Sequence, residues 1–381
     1  MKKIIGILLA GALVTSAFAA DFSAIVKMKG NVLAGNVDYD NNNPKTGPNS
    51  FEALKLDKDF VDNGDLFVTS FTGDKAGAEV KIKLNNWALE IASAKVWIQP
   101  IDMLKITFGD SEWTNWNETT YTYGRMSPWG TGWFAENGGR GFDVLITPVS
   151  GLEFDVGFKA GNDTNWFKID NTAANFGTWN VGAKANLNAL AELPLEVFFN
   201  FKNSYKQTWN IDVEANKTYE TVLSLGAKYA ANNFEAHLVG RYGFKYNKPN
   251  DSSKKVVDNR LMLDNGIKYS IEGLTAWLSV PVMIDMYVPA GEANCLSLGY
   301  VLKVAYAMNG TTVHAKIHDT DFDKLSDPTK LTYKYEFTPT ITVGVDFNVG
   351  SCAMGVSFET TIPKTNQDLE WKVPFYAKVS F

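Results

Sequence analysis

The feature that most constrains this chain is an alternation of apolar and polar residues that recurs in segments of about ten residues. The segments AEVKIKL (78–84), LEFDVGFKA (152–160), WNVGAKANL (179–187) and FEAHLVGRYGFKY (234–246) carry apolar residues at nearly every second position. Successive side chains of a β-strand point to opposite faces, so a period of two predicts strands with one apolar and one polar face. Helical periodicity is almost absent after residue 19. We therefore expect an all-β protein.

The first 19 residues have the pattern of a secretory signal peptide. Two lysines precede an apolar stretch, and Ala17-Phe18-Ala19 has the small-x-small form of a cleavage site. We expect 1–19 to be the signal peptide and 20–381 to form one domain. No later run reaches the roughly 18 to 20 apolar residues of a membrane-spanning helix. The formal net charge of −6 falls to −8 without the two leader lysines, which argues against nucleic acid as a partner.

Two architectures produce this alternation: a soluble sandwich whose apolar faces meet, or a barrel whose apolar face meets lipid. The gaps between strand-like runs favour the barrel, since they alternate between long and short, as in membrane barrels. The short gaps carry turn residues, at Ser150-Gly151, Asn232-Asn233, Glu272-Gly273, Asn309-Gly310 and Gly350-Ser351. The long gaps are expected near 38–63, 111–140, 161–175, 204–216, 247–257, 289–294, 319–330 and 363–369. About 16 to 18 strands fit between these gaps.

The chain ends on WKVPFYAKVSF, a further alternating run that stops on an aromatic residue. With the signal peptide and the strand pattern, this ending resembles the outer-membrane β-barrels of double-membraned bacteria, including spirochaete surface barrels and porins. The resemblance implies an antiparallel up-and-down β-barrel in outer-membrane lipid. It also implies that the insertion machinery recognises the last strand, here through Phe375, Val379 and Phe381. A homo-oligomer is left open, and the Pro-Glu-Phe-Gly-Gly constriction motif of trimeric porins is absent.

The segment 111–140 is the most distinctive of the expected loops. It holds four of the 11 tryptophans, and a loop of this length with so many aromatic residues is typical of a functional segment. One hypothesis is that it folds into the pore and narrows it; the alternative is an external loop packed on its own aromatic residues, with some tryptophans at the lipid interface. The constriction candidates are Trp113, Trp116, Arg125, Trp129, Trp133, Glu136 and Arg140.

Charged residues fill the polar positions of the predicted strands. A water-filled lumen accommodates such charges, whereas a sandwich core does not. The alternative is the solvated outer face of a soluble sheet. The lumen-facing candidates are Lys81, Lys83, Glu153, Asp155, Lys159, Lys184, Lys228 and Arg241.

Patterns for metal binding or catalysis are weak. His314 and His318 share one face of a predicted strand about 13 Å apart, too far to bind one zinc ion together. The acidic stretches that begin at Asp38 and Asp319 lack the glycine and glutamate of a calcium loop. Cys295 and Cys352 leave a single disulfide open. We expect no cofactor, no metal and no enzymatic activity.

These observations favour a porin-like channel that passes small hydrophilic solutes, such as sugars, by passive diffusion. The first alternative is a surface adhesin with long extracellular loops and little conductance. A soluble exported β-protein is the second alternative.

Overall fold

The computed structural model of the protein describes residues 19–37, 51–56, 65–85, 88–111, 139–159, 168–169, 173–210, 213–247, 257–285, 295–319, 338–363 and 369–380. These residues are nearly all in β-strands that belong to one sheet. The all-β prediction is therefore confirmed.

The described strands follow the chain in a simple order. The first eleven are β1 (Ala19–Val37), β2 (Phe51–Leu56), β3 (Asp65–Thr72), β4 (Ala76–Asn85), β5 (Ala88–Ile101), β6 (Leu104–Ser111), β7 (Gly139–Val149), β8 (Leu152–Lys159), β9 (Lys168–Ile169), β10 (Ala173–Asn186) and β11 (Leu195–Asn210). The others are β12 (Val213–Ala231), β13 (Phe234–Asn247), β14 (Val257–Ile271), β15 (Leu274–Ser279), β16 (Val282–Asp285), β17 (Cys295–Leu298), β18 (Tyr300–Met308), β19 (Thr311–Asp319), β20 (Thr340–Val349), β21 (Cys352–Thr361) and β22 (Leu369–Ser380).

Neighbouring strands pair antiparallel, in the up-and-down manner of a barrel. Several short strands lie end to end along a shared neighbour: β2 and β3 both pair with β1, β8 and β9 with β10, and β15 and β16 with β14. β17 and β18 likewise continue each other, opposite β16 and β15. Counting each such series as one strand reduces the 22 described strands to 18, within the predicted range of 16 to 18. The last strand pairs with the first, since β22 lies against β1 from Ile25 to Val37.

The short connections have the predicted turn chemistry. Asn232, Glu272 and Asn309 adopt positive φ angles of 51°, 45° and 51°, as tight hairpins between right-twisted strands require. At 187–194 the connection contains a short helix, α1 (Leu187–Ala191), which begins where the Asn186 side chain accepts bonds from two backbone N–H groups. No helix among the described residues is long and apolar enough to cross a membrane.

Several predicted loops prove to be strand. The range 204–216 was expected to be a long loop, yet β11 and β12 stay paired up to Asn210 opposite Val213. Similarly, β2 lies within the expected loop 38–63, and β9 lies within 161–175. In 204–210 the sequence SYKQTWN is largely polar and lacks the regular alternation that marks a strand next to lipid. Backbone hydrogen bonds form there without it, because they need no apolar face.

The two faces of the sheet are the reverse of those of a soluble protein. Apolar side chains are exposed, with Leu225 at 65%, Leu238 at 55% and Val343 at 50% of their full accessible area. Charged and polar side chains are buried, with Asp155 at 0% and Arg241 at 3%. An apolar exterior around a polar interior is the arrangement that lipid favours in a transmembrane barrel. The membrane interpretation of the alternation therefore fits the structure better than a soluble sandwich.

Candidate functional site

The buried polar face, here called the inner wall, is formed by every second residue of the strands. On β8, Glu153 and Asp155 alternate with the exposed Phe154 and Val156. Lys184 and Asn180 occupy the matching positions of β10, which pairs with β8. The inner wall therefore arises directly from the alternation in the sequence.

Six of the eight lumen-facing candidates have described side chains, and these occupy inner-wall positions that are buried or half-buried: Lys81, Glu153, Asp155, Lys184, Lys228 and Arg241. For Lys83 and Lys159 the structure describes the backbone. Lys83 pairs with Glu90 in β5, and Lys159 pairs with Gly141 in β7. Their role in a pore stays a prediction.

Opposite charges pair across strands along the inner wall. The most buried pair joins Arg241 Nη1 to Asp264 Oδ2 at 2.9 Å, with side chains 3% and 9% exposed. Lys184 and Glu153 form a similar pair at 3.2 Å. The Asn180 amide also donates to the Asp155 carboxylate at 3.0 Å. These contacts give charged groups partners where their own side chains are covered by neighbouring residues, which reduces the cost of burying them.

Glu235 accepts from two lysines at once. Lys268 Nζ lies 2.6 Å from one of its carboxylate oxygens, and Lys228 Nζ lies 3.3 Å from the other. Each lysine comes from a strand that flanks β13, so one glutamate connects three neighbouring strands. Glu196 lies directly opposite Lys228 in β11, so two lysines and two glutamates meet at this point of the inner wall.

Aromatic rings of the inner wall lie over glycines of the adjacent strand. In five cases the ring residue and the glycine are direct partners across two strands, and a Cβ added to the glycine would lie 2.1–2.8 Å from the ring. A ring seated on a glycine lies along the wall instead of projecting into the interior. The pairs are Trp97 with Gly77, Phe198 with Gly226, His237 with Gly266, His314 with Gly344 and Tyr376 with Gly355.

Sequence reasoning missed Asp264, which forms the most buried of these ion pairs. On β14 an apolar residue, Met262, lies on the inner wall, and a polar residue, Asn265, lies at an outward position. The polarity of the residues therefore does not separate the two faces of this strand clearly. The signal was nevertheless present, because Asp264 alternates with the apolar residues Leu263 and Ile267 on the other face.

Asn265 occupies an outward position of β14, opposite the break between β15 and β16. Its side-chain amide donates to the Val280 carbonyl at 2.7 Å, and its side-chain oxygen accepts from the Val280 N–H at 3.0 Å. One side chain thus replaces two backbone partners at the break before Pro281. In lipid such replacement matters, since an unpaired backbone group is costly there.

The structure offers little for metal or acid–base chemistry. The strand predicted for His314 and His318 is present as β19, and among the described residues no group of three or more metal ligands occurs. Asp346 lies 3.1 Å from His314 Nδ1 and accepts from the Tyr376 hydroxyl at 2.9 Å. Cys352 is a free thiol. Outside the membrane, Lys75 in the connection between β3 and β4 donates a hydrogen bond to the carboxylate of Asp102, in the turn between β5 and β6. This contact lowers the pKa of the Asp102 carboxyl.

Most constriction candidates fall on residues that the structure does not describe: Trp113, Trp116, Arg125, Trp129, Trp133 and Glu136. The backbone of Arg140 belongs to β7 and pairs with Asp110, so the expected loop ends before it. Phe381 and residues 1–18 of the predicted signal peptide also lie outside the residues that the structure describes. Phe375 and Val379 lie in β22, opposite Gly30 and Val26 of β1.

Comparison with known proteins identifies the fold. No protein-family model and no curated protein matches the chain. Among solved structures, the outer membrane protein OmpT of Vibrio cholerae, in its trimer form, is 10% identical with a TM-score of 0.55, over 96% of this chain and 100% of that one. The anion-selective porin of Comamonas acidovorans is also 10% identical with a TM-score of 0.55, over 95% and 99% of the two chains.

A third similar structure is OpdL of Pseudomonas aeruginosa, which is 9% identical with a TM-score of 0.52, over 95% of this chain and 99% of that one. Identities this low show the fold alone. The match spans nearly the whole of both chains, and it agrees with the exposed apolar exterior and the buried polar inner wall. The chain therefore has the fold of a bacterial outer-membrane β-barrel of the porin type.

Proposed function

We propose that the protein is a porin-like channel of the outer membrane, through which small hydrophilic solutes such as sugars diffuse passively. The observation that carries the proposal is the burial of charged side chains inside an exposed apolar exterior. An interior of this kind is wet in transmembrane barrels and gives polar solutes a path across the lipid. No catalytic step is part of the proposal.

Within this channel, Lys81, Lys83, Lys159 and Lys184, with Glu153, Asp155, Lys228 and Arg241, would line the path of the solute. The segment 112–138 between β6 and β7 would narrow it, with the aromatic rings of Trp113, Trp116, Trp129 and Trp133 facing the solute. Arg125, Glu136 and Arg140 would set the local field. Rings of charged side chains are a common source of selectivity in pores.

We also propose that the insertion machinery recognises β22 through Phe375, Val379 and Phe381. Phe375 and Val379 support this role, because both occupy apolar, alternating positions of a strand that pairs along β1. The described V. cholerae structure is a trimer, which supports examining the oligomeric state of this protein in detergent.

Single-channel conductance in a planar bilayer tests the proposal. We expect discrete, ohmic steps from the folded protein, and larger steps after deletion of 115–135. Deletion of 322–335, between β19 and β20, is the matched control and should leave the step size unchanged. Equal steps from the wild type and the 115–135 deletion would refute the constriction. Absence of steps from folded protein would refute the channel and favour the adhesin.

A further inference from the structure

A row of charged residues crosses the inner wall from β14 to β22 at one level. Its members are direct partners from strand to strand, so their Cα atoms are about 4.5–5.5 Å apart at each step. Four of the seven are lysines, and one is a glutamate. The row runs through Lys268, Trp277, Lys303, Lys316, Thr342, Glu359 and Lys372.

The outer two lysines of this row are neutralised by carboxylates. Lys268 Nζ lies 2.6 Å from Glu235, and Lys372 Nζ lies 2.5 Å from Glu359. Both pairs therefore contribute little net positive charge to the interior. The two central lysines of the row, Lys303 and Lys316, have no such ion pair among the described residues.

Lys303 and Lys316 are different, because they lie directly opposite each other. Both side chains are half-buried, and among the described residues neither lies within ion-pair distance of a carboxylate. The Glu359 carboxylate, two strands away, attracts the Lys316 ammonium group. The ammonium group of Lys303 lies 5.1 Å from the centre of the Trp277 ring. The ring attracts the cation without cancelling its charge. Glu359 also pairs with Lys372, so Lys303 and Lys316 together keep a net positive charge on this patch of the wall.

Like charges directly opposite each other destabilise a sheet. Leu302, Val304 and Val313 lie on the exposed apolar face, so both lysines lie on the opposite, interior face. Their ammonium groups cannot move far apart there, because both side chains are anchored to adjacent strands. A bound oxyanion would relieve the repulsion, because two of its oxygens can accept from the two ammonium groups at once. Such charge-assisted hydrogen bonds are the stronger kind in proteins.

We propose that Lys303 and Lys316, flanked by Trp277, form a binding site for small oxyanions of the carboxylate and phosphate class. The inference deepens the proposed channel function, on which it rests, by naming a class of solute. The site would hold the anion briefly on its way through the interior. Inorganic phosphate is the simplest probe of this chemistry.

Thermal unfolding of the folded protein in detergent, at constant ionic strength, measures phosphate binding without requiring conduction. Phosphate should raise the melting temperature of the wild type, since a ligand that binds the folded state stabilises it. Lys303→Gln and Lys316→Gln should each raise the apparent Kd for phosphate about tenfold or more. Lys316→Arg, which keeps the charge, should restore most of the affinity.

Lys268→Gln is the matched control. It removes the same charge from the same row, on the other side of Trp277, and Glu235 keeps Lys228 as its partner at 3.3 Å. We expect its Kd for phosphate to stay within about twofold of the wild type, because Lys268 is already neutralised.

Equal weakening by all three glutamine variants would overturn the site in favour of a general field effect. Absence of any phosphate-dependent shift in the wild type would also overturn it. The bilayer measurement is made separately in chloride alone, so its failure refutes the channel and leaves the binding result intact. Binding that is lost in Lys303→Gln and Lys316→Gln but kept in Lys268→Gln supports the site.

Discussion

Neutralising one member of the Arg241–Asp264 pair should destabilise the folded barrel strongly. The two charged atoms are 2.9 Å apart, and the side chains are 3% and 9% exposed. Arg241→Met or Asp264→Asn leaves the other charge buried without this partner. Removing one partner of a buried ion pair typically costs about 3–5 kcal/mol.

The Lys184–Glu153 pair is the internal comparison. Its charged atoms are 3.2 Å apart, but the side chains are 20% and 26% exposed, so water screens both charges. Lys184→Met should therefore cost about 1 kcal/mol or less. The loss of unfolding free energy should therefore be about three times larger, or more, at the Arg241–Asp264 pair than at the Lys184–Glu153 pair.

Urea unfolding of the protein from lipid vesicles, followed by tryptophan fluorescence, measures these free energies. The double variant Arg241→Met with Asp264→Asn should be less destabilised than the sum of the single variants, because it removes both charges of the pair together. Equal costs at the two pairs, or additive costs in the double variant, would refute the reasoning. Either result would mean that water reaches Arg241 as freely as it reaches Lys184.

Three further substitutions have defined outcomes. Gly226→Val should displace the Phe198 ring toward the interior, because a Cβ at Gly226 lies 2.1 Å from the ring. Single-channel steps should then become smaller, whereas the control Gly240→Ala should leave them unchanged. Asn265→Leu should lower the free energy of unfolding by about 1–3 kcal/mol for each Val280 group left unpaired, as urea titration would measure. Leu225→Lys, at a site 65% exposed to lipid, should cost about 2–4 kcal/mol near the bilayer centre, seen as a smaller folded fraction in vesicles.

The alternation in the sequence was sufficient to predict the strands and the two faces where a strand meets lipid. Glu153 and Asp155 show why: each is flanked by apolar residues that lipid requires on the other face. The same logic fails at 204–216, because a strand end away from lipid needs no apolar face. It also fails at Asp264, whose neighbours Met262 and Asn265 depart from the pattern.

Contacts between strands could not be predicted, because they depend on register. A shift of one residue reverses the face of every side chain in a strand, and alternation alone does not fix the shift. The pairing of Lys303 with Lys316 is therefore visible only in the structure. The same holds for the interruption at Pro281, where Asn265 substitutes for backbone partners.

The rings seated on glycines have a consequence for how the barrel assembles. Each ring fits its place only if the two strands are aligned as found. A slip of two residues, which keeps the faces correct, would set Phe198 against Ser224 or Lys228, and His237 against Asp264 or Lys268. Each of these residues has a side chain where the glycine has none. The ring–glycine pairs thus help to fix the register of strand pairing, because they disfavour registers shifted by two residues, which the apolar alternation alone would tolerate.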